Sequence, residues 1–540
     1  MGSLRGAFDV FELRDWLLRW QFWALELQFV LVVATTAVEM PRLVRRLPRA
    51  GATMASAAVV GLLAWTLSAY VSPRTSRIYY DEQIYQGIGQ NLSDLHLAQM
   101  CNEGIVEYGR LQCWRGEYNK EPYGYPYLLS LAYRIAGVSD VVAFRLNNLV
   151  AGLAAGLAVV LSALLFGELR GAALSGLILA LIPMQIAWSN TAAAEASAAL
   201  LGGLAVLAAA QFAQARTTSS LAWTVAVVAF ATTFRPESIL IVPLAAAVIG
   251  ILAPREFAKA RLWCAVAVGL LIVSVTWWHL VAVSGESWGT SGSRLGWTFA
   301  RANLPVNFWF YFGDGRFPIL FSAAALVGLI TPGFRREKAL LGVFFLTFWA
   351  VFVSFYAGSY NYGADVRYSL LSSLPLAVLA GSGASWVAGM AALRWPQARV
   401  TLVTPAIILV QFLWYVPLVR ATGEEAWGAR ADVAFAKESA ASLPRNAVVL
   451  THNPAMFHVW GINAAQMSSA ATDGPYVGSQ LFSRYAGGVF LHWNFWCNVA
   501  DPTQVAFCQS VLEGFGHELI AERRQSCCTG ALSPSHFWWR

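Results

Sequence analysis

The run Tyr79-Tyr80-Asp81-Glu82-Gln83-Ile84-Tyr85 sets two adjacent carboxylates among tyrosines, a few residues after an apolar segment. Carboxylates at a membrane surface are costly to leave idle, so this pair is a candidate base or cation holder. Asp81 and Glu82 are the candidate catalytic residues, with Tyr80 and Tyr85 as candidate substrate contacts. The bland alternative is a solvated acidic loop. A second cluster, Asn119-Lys120-Glu121-Pro122-Tyr123-Gly124-Tyr125-Pro126, joins a charged pair to an aromatic helix entry. Lys120 could meet a phosphate and Glu121 a sugar hydroxyl. Tyr123, Tyr125 and Tyr127 could equally anchor the segment at a membrane interface.

Three more sites lie at the ends of apolar runs. Trp188-Ser189-Asn190 leads to Glu195, Phe234-Arg235-Pro236-Glu237 separates two runs, and Asp365-Val366-Arg367-Tyr368 opens another. An ionisable residue in or beside a span is a functional candidate by default, with a helix cap or an intramembrane ion pair as the competing explanation. Asp314 and Arg316 could contact substrate or only form an interfacial turn. The lone His279 reads as structural. His452 and His458 lack carboxylate or cysteine company at helical ligand spacing, which argues against metal there.

The elements that must position these groups are set by composition. Of 540 residues, 57% are hydrophobic and 12% charged, against about 25% charged in a soluble domain. Mean hydropathy is +0.53. Much of the chain must be solvated by lipid. The net charge of +7 is explained by bases in short loops between spans. No nucleic-acid motif or basic-aromatic stripe is present, so that class is set aside.

A helix needs about 20 apolar residues to cross a bilayer. The sequence offers about eleven such stretches: 52–72, 146–167, 171–189, 193–215, 218–234, 237–253, 262–283, 317–333, 339–357, 369–393 and 400–419. Alternating them from a cytoplasmic start places Arg42, Arg45, Arg46, Arg49, Arg170, Arg216, Arg255, Lys259, Arg261, Arg335, Arg336, Lys338, Arg394 and Arg399 on the inner side, as the positive-inside rule requires. The candidate residues then share the outer face. A transporter would place polar groups near the midplane in two related halves, and neither is seen here. Residues 16–38 hold Arg19 and Glu26 beside Trp16, Trp20, Phe22 and Trp23 and have no signal-cleavage site. They read as a helix lying in the interface, with an extra span as the alternative.

Three pieces remain outside: residues 73–145, 284–316 and a tail from 421. Residues 123–136 read as a helix on the outer surface. The tail reads as a small α/β domain with strands at 447–451, 488–493 and 517–522 and helices started by Asn453-Pro454 and Asp501-Pro502. Six of seven cysteines fall outside the membrane, which suggests disulfides. Cys101–Cys113 and Cys497–Cys508 are the preferred pairs, being close in sequence within one loop each. Zinc is disfavoured because neither set has the short C-x-x-C spacing.

The order of these pieces resembles the GT-C glycosyltransferases. A span precedes an acidic pair, then Lys-Glu-Pro and a tyrosine-rich helix, then Phe144-Arg145-Leu146, Pro183 leading to Asn190 and Glu195, Arg235, and Arg367-Tyr368. The branch most similar is that of protein O-mannosyltransferases and the lipid A aminoarabinose transferase, over roughly residues 50–420. The aminoarabinose branch has Glu-Lys-Pro-Pro where this chain has Lys-Glu-Pro.

The resemblance implies a fold and a chemistry. The fold would be an all-α polytopic membrane protein: an interfacial or extra helix over 1–50, a catalytic membrane domain over 51–420 and an extracytoplasmic α/β domain over 421–540. The chemistry would be inverting transfer of a sugar from a polyprenyl-phosphate donor to a lipid, glycan or protein hydroxyl. Asp81 matches the first-loop base or acceptor-orienting group, with Glu82 beside it. Lys120 and Glu121 match the charged pair near the donor, and Arg235 and Arg367 would meet its phosphate. Tyr80, Tyr85, Arg145, Asn190, Glu195, Glu237 and Tyr368 complete the expected site. A divalent metal is possible but not required. The expected setting is a bacterial inner membrane with the site outside. The competing functions are a secondary transporter or lipid flippase, and a non-catalytic assembly scaffold.

Overall fold

The computed structural model describes residues 9–286, 292–361, 363–423, 425–472, 480–498, 502–526 and 532–539. Among them, eight helices are long and apolar enough to cross a membrane, and four shorter apolar helices accompany them. The long ones are α1 (Val10–Val44), α2 (Ala50–Tyr70), α5 (Asp140–Phe166), α8 (Glu195–Ala215), α11 (Ala260–Ala282), α14 (Arg335–Ser354), α15 (Leu370–Ala392) and α16 (Gln397–Arg420). The short ones are α6 (Leu169–Ala180), α9 (Thr218–Ala231), α10 (Ile241–Leu252) and α13 (Ile319–Ile330). The chain is an integral membrane protein built on this bundle. Each apolar stretch read from the sequence, except 171–189, corresponds to one of these helices.

Residues 16–38 are the first difference. They lie inside one continuous helix, α1, of 35 residues. α1 packs along α9 and α11, and Gln28 and Trp223 hydrogen-bond between these helices. α1 thus packs against the bundle and is long and apolar enough to cross a membrane, the alternative that the sequence left open. Two of its charges find partners there: Arg14 bonds the Ala282 carbonyl at 3.0 Å, and Tyr127 donates to Glu26 at 2.8 Å.

The stretch 171–189 is not one helix. It breaks between α6 and α7 (Pro183–Trp188), because Pro183 has no N–H to continue the ladder. Residues 284–316 hold a helix, α12 (Trp297–Phe312), that Arg301 and Pro305 hide from a hydropathy reading. Small residues let the main helices approach closely. A side chain at Gly61 would meet the Gly152 carbonyl at 2.9 Å, so α2 and α5 cross backbone to backbone.

The long loop after α2 carries α3 (Asp81–Asp94), the hairpin β1 (Met100–Glu107) and β2 (Arg110–Glu117), and α4 (Gly124–Ala136). α4 is the helix expected on the membrane surface. It packs against α3 and α5, and Tyr123, Tyr125 and Tyr127 are at most 1% exposed, so these tyrosines are core residues and not lipid anchors.

The tail begins with α17 (Trp427–Ala440) and continues through β3 (Val448–Thr451), α18 (Pro454–Val459), β4 (Asn463–Gln466), α19 (Met467–Thr472), β5 (Val489–Trp493), α20 (Pro502–Glu513), β6 (Leu519–Ser526) and β7 (Leu532–Trp539). The sheet order is β2-β1-β4-β3-β5-β7-β6. β3 is parallel to both β4 and β5 and is buried along its length, as a central parallel strand should be. The first long loop supplies two of these strands, so loop and tail share one sheet. Asn453 stands at the cap of α18, but its side chain makes no capping bond. Both expected disulfides are present, Cys101–Cys113 and Cys497–Cys508.

Candidate active site

A cavity of roughly 600 Å³ opens where the first long loop meets the ends of several membrane helices. α3 gives it Asp81, Ile84 and Tyr85, and the entry to α4 gives Lys120, Glu121 and Pro122. The break between α9 and α10 contributes Arg235 and Glu237, and the segment before α15 contributes Arg367 and Tyr368. Of the side chains that the sequence suggested, these eight polar ones come together: Asp81, Tyr85, Lys120, Glu121, Arg235, Glu237, Arg367 and Tyr368. The other wall is apolar, with Ile239, Leu240, Leu280, Val351 and Phe352.

Arg235 and Arg367 converge on one buried carboxylate. Glu195, the first residue of α8, accepts from Arg235 Nη1 and from Arg367 Nε, the latter at 2.7 Å. Arg235 also bonds Glu237. Arg367 donates to Asp365 at 3.3 Å and to the Tyr368 hydroxyl at 3.0 Å. Both guanidiniums lie over the Tyr368 ring, at 5.2 and 4.5 Å, and that ring stacks on Phe352 at 4.5 Å. Two arginines are thus held rigidly at the cavity wall, and Arg235 Nη2 bonds no described residue. Such a fixed fork suits a phosphate.

Asp81 lies in the first turn of α3, where the helix dipole favours negative charge. No hydrogen bond from a described residue reaches its carboxylate. Burial raises its affinity for a proton, the Arg367 charge opposes that, and Glu195 adds to it; the net direction is upward. Glu121 is pushed up to about 7, by burial first and then by the charge of Asp81, although a hydrogen bond from Tyr85 at 3.0 Å favours its ionised form. Two carboxyls with raised proton affinity in one cavity are suited to proton transfer near neutral pH.

The neighbours of Asp81 are occupied elsewhere. Glu82 is fully buried. Its Oε1 accepts from the main-chain N–H groups of Arg77 and Ile78, and its Oε2 from that of Ala192. Burial pushes its pKa up to about 7 against the pull of those bonds. The Tyr80 hydroxyl donates to Asp432 of α17. Neither side chain lines the cavity, and Asp81 alone of the three faces it.

Two further sequence candidates lie apart. Asn190 donates to the Ser72 carbonyl at 2.8 Å and accepts from Asn148 at 3.0 Å, in a buried knot between helices. Arg145 sits over the Tyr70 ring at 5.4 Å. Asp314 and Arg316 pair with each other at 2.8 Å. His279 is packed by Tyr118, 2.7 Å away. The His452 ring lies near Cys497 and Cys508, but those sulfurs are joined to each other.

The cavity also holds Arg294 and Tyr356, which sequence reasoning missed. They are brought in by a short pairing: Tyr356 N–H bonds the Arg294 carbonyl, and Gly296 N–H bonds that of Ser354, each at 3.0 Å. The only available signal was a basic residue in a Gly/Ser-rich loop.

The sequence model of the family described as dolichyl-phosphate-mannose-protein mannosyltransferase matches residues 120–279, a stretch that contains Lys120, Glu121, Glu195 and Arg235. The crystal structure of ArnT from Cupriavidus metallidurans bound to undecaprenyl phosphate superposes with a TM-score of 0.55 at 15% identity, covering 89% of this chain and 97% of that one. The chain has the fold of the GT-C membrane glycosyltransferases. The apo form of the same ArnT gives a TM-score of 0.52 at 15% identity, over 89% of this chain and 96% of that one. The search of curated proteins gives no match. The eight cavity residues come from four separate stretches, and their order along the sequence is what made them recognisable.

Proposed function

We propose that the protein is an inverting glycosyltransferase that moves a sugar from a polyprenyl-phosphate donor to an acceptor hydroxyl. One observation carries this reading: Asp81, which accepts no hydrogen bond from a described residue, faces a cavity whose other walls hold fixed arginines and an apolar surface. The donor's polyprenyl chain would lie along Ile239, Leu240, Leu280, Val351 and Phe352, with its phosphate toward Arg235 and Arg367. The undecaprenyl phosphate in the ArnT structure supports a donor of this kind.

The acceptor hydroxyl approaches the anomeric carbon from the face opposite the phosphate. Asp81 takes its proton as the new C–O bond forms, and the bond to the phosphate oxygen breaks. The departing phosphate keeps that electron pair, and Arg235, Arg367 and Lys120 stabilise its charge. Negative charge from Asp81 and Glu121 also suits the positive sugar ring of an oxocarbenium-like transition state. Asp81 and Glu121 would give a divalent cation two hard oxygen ligands beside the phosphate. The acceptor is a lipid, glycan or protein at the extracytoplasmic face of a bacterial inner membrane.

The test is purified protein with a radiolabelled polyprenyl-phosphate sugar and envelope acceptors, with the anomeric configuration of the product determined. Labelled product of inverted configuration supports the reading. Sugar uptake into proteoliposomes without any transferred product would replace it with transport.

A further inference from the structure

We infer that the C-terminal domain is a working part of the active site, because Asp432 and His492 hold Tyr80 and thereby the main chain at Asp81. The inference rests on the reading of Asp81 as the base.

The contact is a buried polar chain. The Tyr80 hydroxyl donates to Asp432 Oδ2. Asp432 Oδ1 lies 3.0 Å from His492 Nε2, and His492 Nδ1 lies 3.1 Å from Thr451 Oγ1. Asp432, His492 and Thr451 are fully buried, and Tyr80 is 6% exposed. Thr451 Oγ1 also accepts from the Asn453 N–H. Every group is satisfied if Thr451 donates to Nδ1 and Nε2–H donates to Asp432. Thr451 and His492 sit on β3 and β5, adjacent strands at the centre of the sheet. The chain therefore runs from the central strands of the sheet to the residue before Asp81.

Docking alone does not call for this. Buried apolar residues would hold two domains together at least as well as buried polar ones. Hydrogen bonds add direction, and a fully satisfied buried network fixes one geometry. A second clamp acts on the same segment: Arg77 bonds Glu425 at 3.1 Å, and Glu82 ties it to Ala192. Close packing removes slack, since a side chain on Gly87 of α3 would overlap Ala455 of α18. Asp81, whose carboxylate accepts no hydrogen bond from a described residue, thus stands between two immobilised neighbours. Asp432 and His492 do not line the cavity; they are positioning residues. Elsewhere on the same interface, Lys437 meets Asp140 at 2.7 Å with its side chain half exposed, a contact that docks the domain without reaching the site.

The test compares Tyr80→Phe, Asp432→Ala, Asp432→Asn and the Tyr80→Phe/Asp432→Ala double variant with Lys437→Ala, all in the full-length protein. The readouts are kcat and donor KM for transfer from a labelled polyprenyl-phosphate sugar. Misplacing a catalytic group by about 1 Å can cost on the order of a hundredfold. Tyr80→Phe and Asp432→Ala are expected to lower kcat at least about tenfold with donor KM within about twofold. The double variant should be no slower than Asp432→Ala, because both break one chain. Asp432→Asn should recover part of the rate, and Lys437→Ala should keep the parent kcat. Tyr80→Phe retains the ring and its packing, so it carries the test if Asp432→Ala does not fold. Parent-like kcat in Tyr80→Phe would overturn the inference while leaving Asp81 as base. A parent protein without transfer activity would overturn the catalytic reading and this one with it.

Discussion

Asp81 and Glu121 face one cavity from two different elements, α3 and the entry to α4, and each is sensitive to the other's charge. Burial raises the proton affinity of both. The base must be ionised to act, so its raised pKa moves the acid limb of the rate profile upward. Transfer is expected to fall as pH drops at a point above the ordinary carboxylate range near ~4. Removing one negative charge makes the other carboxylate easier to ionise, so Glu121→Gln should shift that limb to lower pH. A pH–rate profile of parent and variant checks both, and an unmoved limb would contradict the shared cavity charge.

Arg367 reaches Glu195, Asp365 and Tyr368 at once. Arg367→Ala should weaken donor handling and lower kcat/KM about a hundredfold or more, the usual scale for losing a fixed charge-stabilising donor. Inhibition by free polyprenyl phosphate should weaken in parallel. Unchanged inhibition would place the phosphate elsewhere.

Glu82 is predicted to matter for folding more than for chemistry. Glu82→Ala strands the N–H groups of Arg77, Ile78 and Ala192, at a cost of about 1–3 kcal/mol for each buried donor left unpaired. The melting temperature in detergent should drop markedly. A variant that melts with the parent but is inactive would make Glu82 a direct participant in the reaction.

The two disulfides close short loops, with sequence separations of 12 and 11. Loops of this length are worth about 3 kcal/mol each. Reductant should therefore lower the melting temperature, and Cys101→Ser with Cys113→Ser should reproduce part of the effect. The same melt in both redox states would show that the bridges are not formed.

Much of this was legible because membrane helices announce themselves by length and apolarity. The cavity was legible through order: Asp81, Lys120-Glu121, Arg235 and Arg367 each adjoin an apolar run, so the bundle brings them to one face. What was hidden has physical reasons. α1 holds Arg19 and Glu26, and a hydropathy reading cannot see that Tyr127 satisfies Glu26. Adjacent carboxylates look alike in sequence, and only three main-chain donors separate Glu82 from Asp81. Asn190 and Tyr80 read as site residues because they flank it, yet their polar atoms are used by Ser72, Asn148 and Asp432. Arg294 reaches the cavity through a long-range pairing with Tyr356 that no local pattern encodes.

The central claim is that Asp81 is the base of a sugar transfer. The most direct measurement is the single-turnover rate of Asp81→Asn with labelled polyprenyl-phosphate sugar, beside donor binding to the same variant. Losing a general base costs about 100- to 10,000-fold, so the rate should fall by that much while donor binding persists. Transfer at the parent rate by Asp81→Asn would contradict the account.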